Sequence, residues 1–281
     1  MKKVALLFIA AGLLNTSAFA QRFGKLLKET PGMVSYTMRN QFAKDVPGTL
    51  DKIKGMGITH IEFSSLFGKT AADIRKELDA RGMRCTSFGV GYNDLMKAMP
   101  TVVQNAKTLG AKYVRLGSIP HNGPFTLDMA KKTVEEFNAI GKQLREADLT
   151  FVYHNHGFEF EPYQNGTLFD YVVQNTNPQD VSFEMDVVWV VNPGQNPVAL
   201  LEKYPTRFRL MHLKDLDKSV EPNMKGSAPN DKCVVLGTGK VDFPSLLKAA
   251  RKTKIEYFYV EDENLNSEQQ VPQSLAYLKS L

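Results

Sequence analysis

Between residues 151 and 263 the sequence reads FVYHNH (151–156), VSFEMD (181–186), FRLMHLKD (208–215) and YFYVEDE (257–263). Each stretch is an apolar run that ends in a residue able to bind a metal. Short apolar runs rich in Val, Phe and Tyr are the mark of buried strands. His154, His156, Asp186, His212 and Glu261 therefore stand where strands stop and loops begin. One such residue is commonplace. The same placement in four consecutive units predicts one ring of ligands at the mouth of a closed sheet.

The beat continues outward from these four. MVSYTM (33–38), HIEFSS (60–65), MRCTSFGV (83–90) and KYVRLG (112–117) read as four earlier strands. Helical segments separate all eight. One lies around residues 47–55. A second runs over 71–82, with Ile74 and Leu78 on one face. A third, capped by Asn93, runs to Gly110, and a fourth spans 127–147. Later ones lie near 167–175, from Asn196-Pro197, from Asp242 to Arg251, and over 267–281. Proline in the first turn and glycine after the last turn mark several of these boundaries. A loop rich in Lys, Pro, Asn and Gly fills 216–236.

Strands that alternate with helices imply a parallel sheet. Eight such units in about 250 residues fit a (β/α)8 TIM barrel, folded as a single domain over residues 21–281. An open doubly wound sheet is the competing architecture. It would carry a glycine-rich phosphate turn after the first strand, and this chain has Arg39-Asn40-Gln41-Phe42 there.

Lys2 and Lys3, the apolar run 4–14 and Ala18-Phe19-Ala20 before Gln21 predict a cleavable signal peptide over residues 1–20. The expected location is periplasmic or otherwise exported. The formal charge is only +5, two of it from those lysines, which argues against a nucleic-acid partner. No later apolar run is long enough to span a membrane. Cys85 sits in a strand-like run and Cys233 in a polar loop, so the two are not expected to pair.

In such barrels chemistry gathers at the C-terminal ends of the strands. Residues two apart on a strand face the same way, so His154 pairs with His156, Glu184 with Asp186, His212 with Lys214 and Glu261 with Glu263. Each has a bland reading as a hydrogen-bonded core residue, a helix cap or a solvated loop acid. Together, carboxylates and imidazole on adjacent strand ends make a mixed nitrogen and oxygen site suited to one divalent ion, Mn, Co, Zn or Mg.

MetAsp (185–186), HLKD (212–215), GTGKVDF (237–243) and ValGluAsp (260–262) resemble the xylose-isomerase-like barrel superfamily, the sugar phosphate isomerase/epimerase group. That group includes keto-sugar epimerases, inosose dehydratase, keto-glycoside lyases and endonuclease IV. The resemblance implies one divalent ion held by Glu, Asp, His and Glu from strands five to eight. Asp186, His212 and Glu261 match the last three positions. The first departs: the family glutamate is replaced by His154-Asn155-His156-Gly157-Phe158-Glu159, and Glu159 folding back from the loop is the favoured first ligand, ahead of His154 or His156. Epimerases of the group use two metal-bound glutamates on opposite faces of the substrate. A histidine pair at strand five instead resembles the dehydratase and keto-glycoside lyase branches.

The resemblance implies a divalent-metal-dependent sugar isomerase or epimerase, or a keto-glycoside lyase. The proton α to a ketone is removed to give an enediolate; reprotonation epimerises or isomerises it, while loss of a β substituent makes the enzyme a lyase or dehydratase. His154 or His156 is the expected base and Glu261 a second acid/base group. Glu62, Arg115, Lys214 and Trp189 are candidates for binding a small-molecule carbohydrate. Export disfavours a phosphorylated substrate, so a free keto-sugar or 3-keto-glycoside is expected. A non-catalytic exported sugar-binding protein on the same scaffold is the alternative. The three-zinc endonuclease chemistry needs more histidine than the five present.

Overall fold

The apolar runs form a closed barrel in the computed structural model, which describes residues 23–281. The expected signal peptide, residues 1–20, lies outside the described residues. The strands are β1 (Gly32–Val34), β2 (His60–Phe63), β3 (Arg84–Val90), β4 (Tyr113–Leu116), β5 (Thr150–His154), β6 (Val181–Asp186), β7 (Phe208–Leu213) and β8 (Tyr257–Val260). Each pairs in parallel with the next, and β8 closes on β1. The main helices follow the strands in turn: α1 (Val46–Gly55), α2 (Ala71–Ala80), α3 (Met99–Leu109), α4 (Leu127–Glu146), α5 (Leu168–Asn175), α6 (Pro197–Lys203), α7 (Phe243–Ala250) and α8 (Ser267–Ser280). This is the expected (β/α)8 barrel, and the open doubly wound alternative is excluded.

Two boundaries differ from the sequence reading. The first strand stops at Val34, and Ser35–Met38 form a 3₁₀ turn. The Ser35 hydroxyl explains the early stop: it accepts from the Ser64 backbone N–H at 2.8 Å and sits 2.9 Å from the Ser64 hydroxyl, tying this turn to the end of β2. The helix expected from Asn93 to Gly110 is two, Tyr92–Lys97 and α3. Pro100 lies in the first turn of α3, where a missing N–H is best tolerated. Asn196 and Asp242 cap α6 and α7 as their positions suggested, accepting from Val198, Ala199 and Ser245 backbone N–H groups. Cys85 and Cys233 are both buried and free.

The barrel interior is layered. Val34, Tyr113, Val152, Leu210 and Tyr259 form a separate apolar plug inside the ring of strands. Most of the remaining core lies between strands and helices, where outward residues such as Val114, Phe151 and Phe183 pack. Two residues beyond the plug on the same strands, the alternation of a β-strand brings Arg115, His154, His212 and Glu261 to positions that face the same interior. The apolar plug therefore supports a charged layer directly above it, at the mouth.

Candidate active site

Strand register sets the ligand group. His154 pairs with Glu184 across β5 and β6, and Asp186 pairs with His212 across β6 and β7. Ligand atoms of His154, Asp186, His212 and Glu261 all lie within 4.8 Å of one another, and all four residues are buried. The His154 Nε2 is 3.4 Å from Asp186 Oδ2, and His212 Nδ1 is 2.8 Å from Glu261 Oε2. Asp186 divides its carboxylate. Oδ1 accepts from the backbone N–H groups of Val188 and Trp189, capping the short helix Val187–Val191. Among the described residues Oδ2 has no hydrogen-bond partner, and neither ring nitrogen of His154 has one. Asn155 fixes the spacing between these two ligands. Its side-chain oxygen accepts from the Asp186 N–H at 3.1 Å and its amide donates to the Asp186 carbonyl at 3.4 Å.

The layer beneath orients His212. Its Nε2 lies 2.8 Å from Glu62 Oε1 and 3.1 Å from Glu184 Oε2, leaving Nδ1 toward the ligand group. Arg115 Nε is 2.7 Å from the same Glu62 oxygen. The Arg115 guanidinium has room only because β3 and the end of β4 carry glycines: a Cβ on Gly89 or Gly117 would stand 2.7 or 2.8 Å from its nitrogens. Burial opposes the ionised form of Glu62, but Arg115 and His212 prevail and hold it down at about 2. Burial, then the neighbouring Glu62 charge, pushes Glu184 up to about 7. Burial also opposes a charged His212, yet Glu184, Glu261 and Glu62 hold it well above its ordinary value. His154 goes the other way, driven well down by burial and then by His212.

Above the ligands opens a cavity of about 570 Å³. His156 lines it with an unpartnered Nδ1, its ring 4.9 Å from that of His154. Burial, then His154, lowers His156 to about 3, which keeps the imidazole neutral. Lys214 pairs with Glu263 and lies 4.9 Å over the Trp189 ring, and all three line the cavity. The loop after β7 crosses above them, and residues 226–228 and Asn230 close that side. Gly226 has φ +66°, and a Cβ there would meet the Cβ of His156 at 2.7 Å, so the loop tip can rest on the histidine only as glycine. A second cavity, about 620 Å³, lies at the opposite end beside His60, Ile255 and Phe258. Neither of the two ligand groups found among the described residues is there.

The structure brings together His154, His156, Asp186, His212, Glu261, Arg115, Lys214 and Trp189. Two expectations are corrected. Glu159 does not fold back to the ligand group. It lies in a 3₁₀ turn (Phe158–Phe160), bonded to the Tyr153 hydroxyl and accepting from the His156 N–H at 2.9 Å. Tyr153 and His154 are adjacent on β5 and so face opposite ways, which puts Glu159 behind the strand, while His154 lies in the group that could hold a metal. Glu62 is set beneath His212, at 2.8 Å from its Nε2, rather than on the cavity wall. The GTGKVDF run has a structural part. Asp215 accepts from the backbone N–H groups of Leu216, Gly237, Gly239 and Val241 at 2.9–3.1 Å, anchoring the return of the long loop. Sequence reasoning missed Tyr36, which lines the cavity from the turn after β1. The only signal would have been Ser35, directly after the end of β1.

The chain belongs to the xylose isomerase-like TIM barrel family, whose profile matches residues 50–281. It is similar to inosose dehydratase 2 of Bacillus cereus, at 27% identity over 235 residues, covering 74% of this chain and 78% of that protein. Its match to an inosose dehydratase of Bacillus anthracis, at 26% identity over 185 residues, covers 62% of this chain and spans 61% of that relative's length. Among solved structures it resembles a sugar phosphate isomerase/epimerase from Parabacteroides distasonis ATCC 8503, with a TM-score of 0.73 at 26% identity, covering 90% of this chain and 94% of that one. The IOLI protein, solved with a bound zinc atom, shares the fold, with a TM-score of 0.70 at 14% identity over 88% of this chain and 95% of that one.

Proposed function

We propose that this protein is a divalent-metal-dependent lyase or dehydratase acting on an unphosphorylated keto-sugar or 3-keto-glycoside. The observation that carries this reading is His154 in the ligand group, where the family's epimerases place a glutamate. Two metal-bound glutamates on opposite faces are what an inversion of a carbon needs. With an imidazole in the first place, that pair of glutamates is missing, which favours elimination over inversion. The inosose dehydratase relatives support the same branch.

The residues fit a metal. Two ligand atoms at about 2.0–2.2 Å from one ion lie at most ~4.4 Å apart, close to the 4.8 Å span of this group. The orphaned Asp186 Oδ2 and His154 nitrogens are buried polar atoms that a cation would satisfy. Two imidazoles and two carboxylates suit Zn, Mn or Co better than Mg. A bound ion would act as a Lewis acid on the ketone and its neighbouring hydroxyl.

The chain's own residues do the rest. His156 Nδ1, unpartnered and facing the cavity, takes the α proton. The C–H electron pair becomes the new double bond as the β C–O bond breaks. His156 then returns the proton to the departing oxygen, with Glu261 as a second acid/base group. Arg115 and Lys214 bind substrate oxygens, and Trp189 forms a wall for the sugar. The tip of the long loop excludes water from one side. The signal peptide read over residues 1–20 is part of this proposal: the protein acts after export, where unphosphorylated sugars are the available substrates.

Incubation of metal-loaded protein with a 3-keto-glucoside in D₂O, followed by ¹H NMR, tests the reading. Release of the aglycone with an unsaturated keto-sugar is expected. Recovered glycoside with deuterium at an inverted α carbon would make it an epimerase. A protein that binds sugar yet takes up no divalent ion would be a binding protein.

A further inference from the structure

The cavity has two unlike halves. Over β5 to β8 it is lined by the ligand group, His156, Lys214 and Trp189. Over β2 to β4 its walls are Ser64, Val90, Gly91, Gly117 and Ser118, with Arg115 at the base of β4 and no candidate metal ligand among them. Apart from Arg115, whose guanidinium is held by Glu62, these are small or mid-sized side chains, and one cavity spans both halves. Tyr36 supplies the one aromatic wall of that half. It is 41% exposed, the most open tyrosine ring at the mouth. Such exposure of a large ring costs hydrophobic stabilisation unless something covers it. One face is already backed: the Arg39 guanidinium stacks 4.5 Å from the ring centroid. Arg39 also donates to the Tyr36 carbonyl at 3.0 Å and to the Glu263 carbonyl at 3.3 Å, so the ring is braced from below and tied to the loop that carries Glu263. Among the described residues no second cation or ring stacks on the other face.

Resting on the proposed keto-sugar chemistry, we infer that this half is a subsite for a second ring joined to the reacting sugar, with Tyr36 as its stacking platform. The substrate class is then a glycoside with a cyclic aglycone or a second sugar, not a lone monosaccharide. The shared chemistry is a flat or C–H-rich ring face laid against an aromatic one, with small polar groups, Ser64 and Ser118, at its edge. Such a subsite gives direction to the proposed elimination: the group expelled is the ring held over β2 to β4, while the keto-sugar stays with the ligands over β5 to β8.

The sequence has a single tryptophan, and it lines the reaction half, so Trp189 fluorescence reports occupancy without any turnover. The full chain, loaded with zinc, is titrated with methyl β-glucoside, phenyl β-glucoside and cellobiose. Phenyl glucoside and cellobiose should bind about tenfold more tightly than the methyl glycoside. The preference should vanish in Tyr36→Ala and persist in Tyr36→Phe, with melting temperatures unchanged because the ring is exposed. A response to phenyl glucoside alone would assign the subsite to an aromatic aglycone, and a response to cellobiose alone to a second sugar. Equal affinities for all three, a preference that survives Tyr36→Ala, or no saturable response overturns the inference. Turnover of the corresponding 3-keto compounds is followed separately. Consumption without any dependence on the second ring leaves the proposed reaction standing and removes the subsite. Tyr36-dependent binding without consumption does the reverse.

Discussion

Asp186 and Asp215 are two buried aspartates that close neighbouring strands, and they are built to opposite ends. Asp215 receives four backbone N–H groups on its two oxygens, so its charge is fully met by the chain and its work is to hold the loop. Asp186 commits one oxygen to a helix cap and leaves the other unpartnered before two histidines. Burial raises both carboxyls above their ordinary range. What separates them is satisfaction, not burial. A buried acid whose lone pairs are all taken is architecture, and one with an orphaned oxygen facing the unpaired imidazole of His154 asks for a ligand.

The sharpest way to break this contrast is to remove each acid in turn. Asp186→Ala should cut turnover of a 3-keto-glycoside by about 10³-fold or more through loss of the ion. Its cost in stability should be near the ~1 kcal/mol of a lost helix cap. Asp215→Ala should do the converse, destabilising the fold by about 3–5 kcal/mol in urea unfolding because four backbone donors, those of Leu216 and Val241 buried, lose their acceptor. The protein that remains folded should still bind its ion.

The layer under His212 refines the same comparison. If Glu62 works by orienting His212, as its position beneath that ring suggests, Glu62→Gln should weaken metal affinity by about 10–100-fold, measured by chelator competition. A substrate-binding role would instead raise KM at saturating metal.

The smallest effect concerns Glu159. Burial pushes its carboxyl up to about 7, against hydrogen bonds from Tyr153 and the backbone that favour the ionised form. Between its unfolded value near 4.5 and about 7 the native state keeps a proton that the unfolded chain has lost. Stability should therefore fall as pH rises through that window, by up to about 1.4 kcal/mol per pH unit from this group, and level off above it. Glu159→Gln should flatten that part of the profile in thermal melts taken from about pH 5 to about pH 8.

The strands and their order were legible because apolar runs repeat eight times between helical segments, several of them capped or stopped by glycine, and alternation along β4 to β8 placed the interior residues correctly. Asp186, His212 and Glu261 were readable for the same reason: strand register carries them to one level. Glu159 misled because it has the right chemistry at a distance a loop can span. Which side of β5 that loop packs on is set by Tyr153 and by the His156 backbone, and neither announces itself in sequence. The turn at Ser35 was hidden because its stabilising partner, Ser64, lies on the next strand. Tyr36 was lost with it, since a residue in a presumed strand is not sought at a rim.

His154, as the residue that replaces the family's first glutamate, carries the case for elimination over epimerisation. Metal content per chain, measured by mass spectrometry after reconstitution of the wild type, His154→Ala and Glu159→Gln, tests it directly. One divalent ion is expected in the wild type and in Glu159→Gln, with His154→Ala largely stripped. An ion retained by His154→Ala and lost from Glu159→Gln would contradict the assignment, and the case for elimination would fall with it.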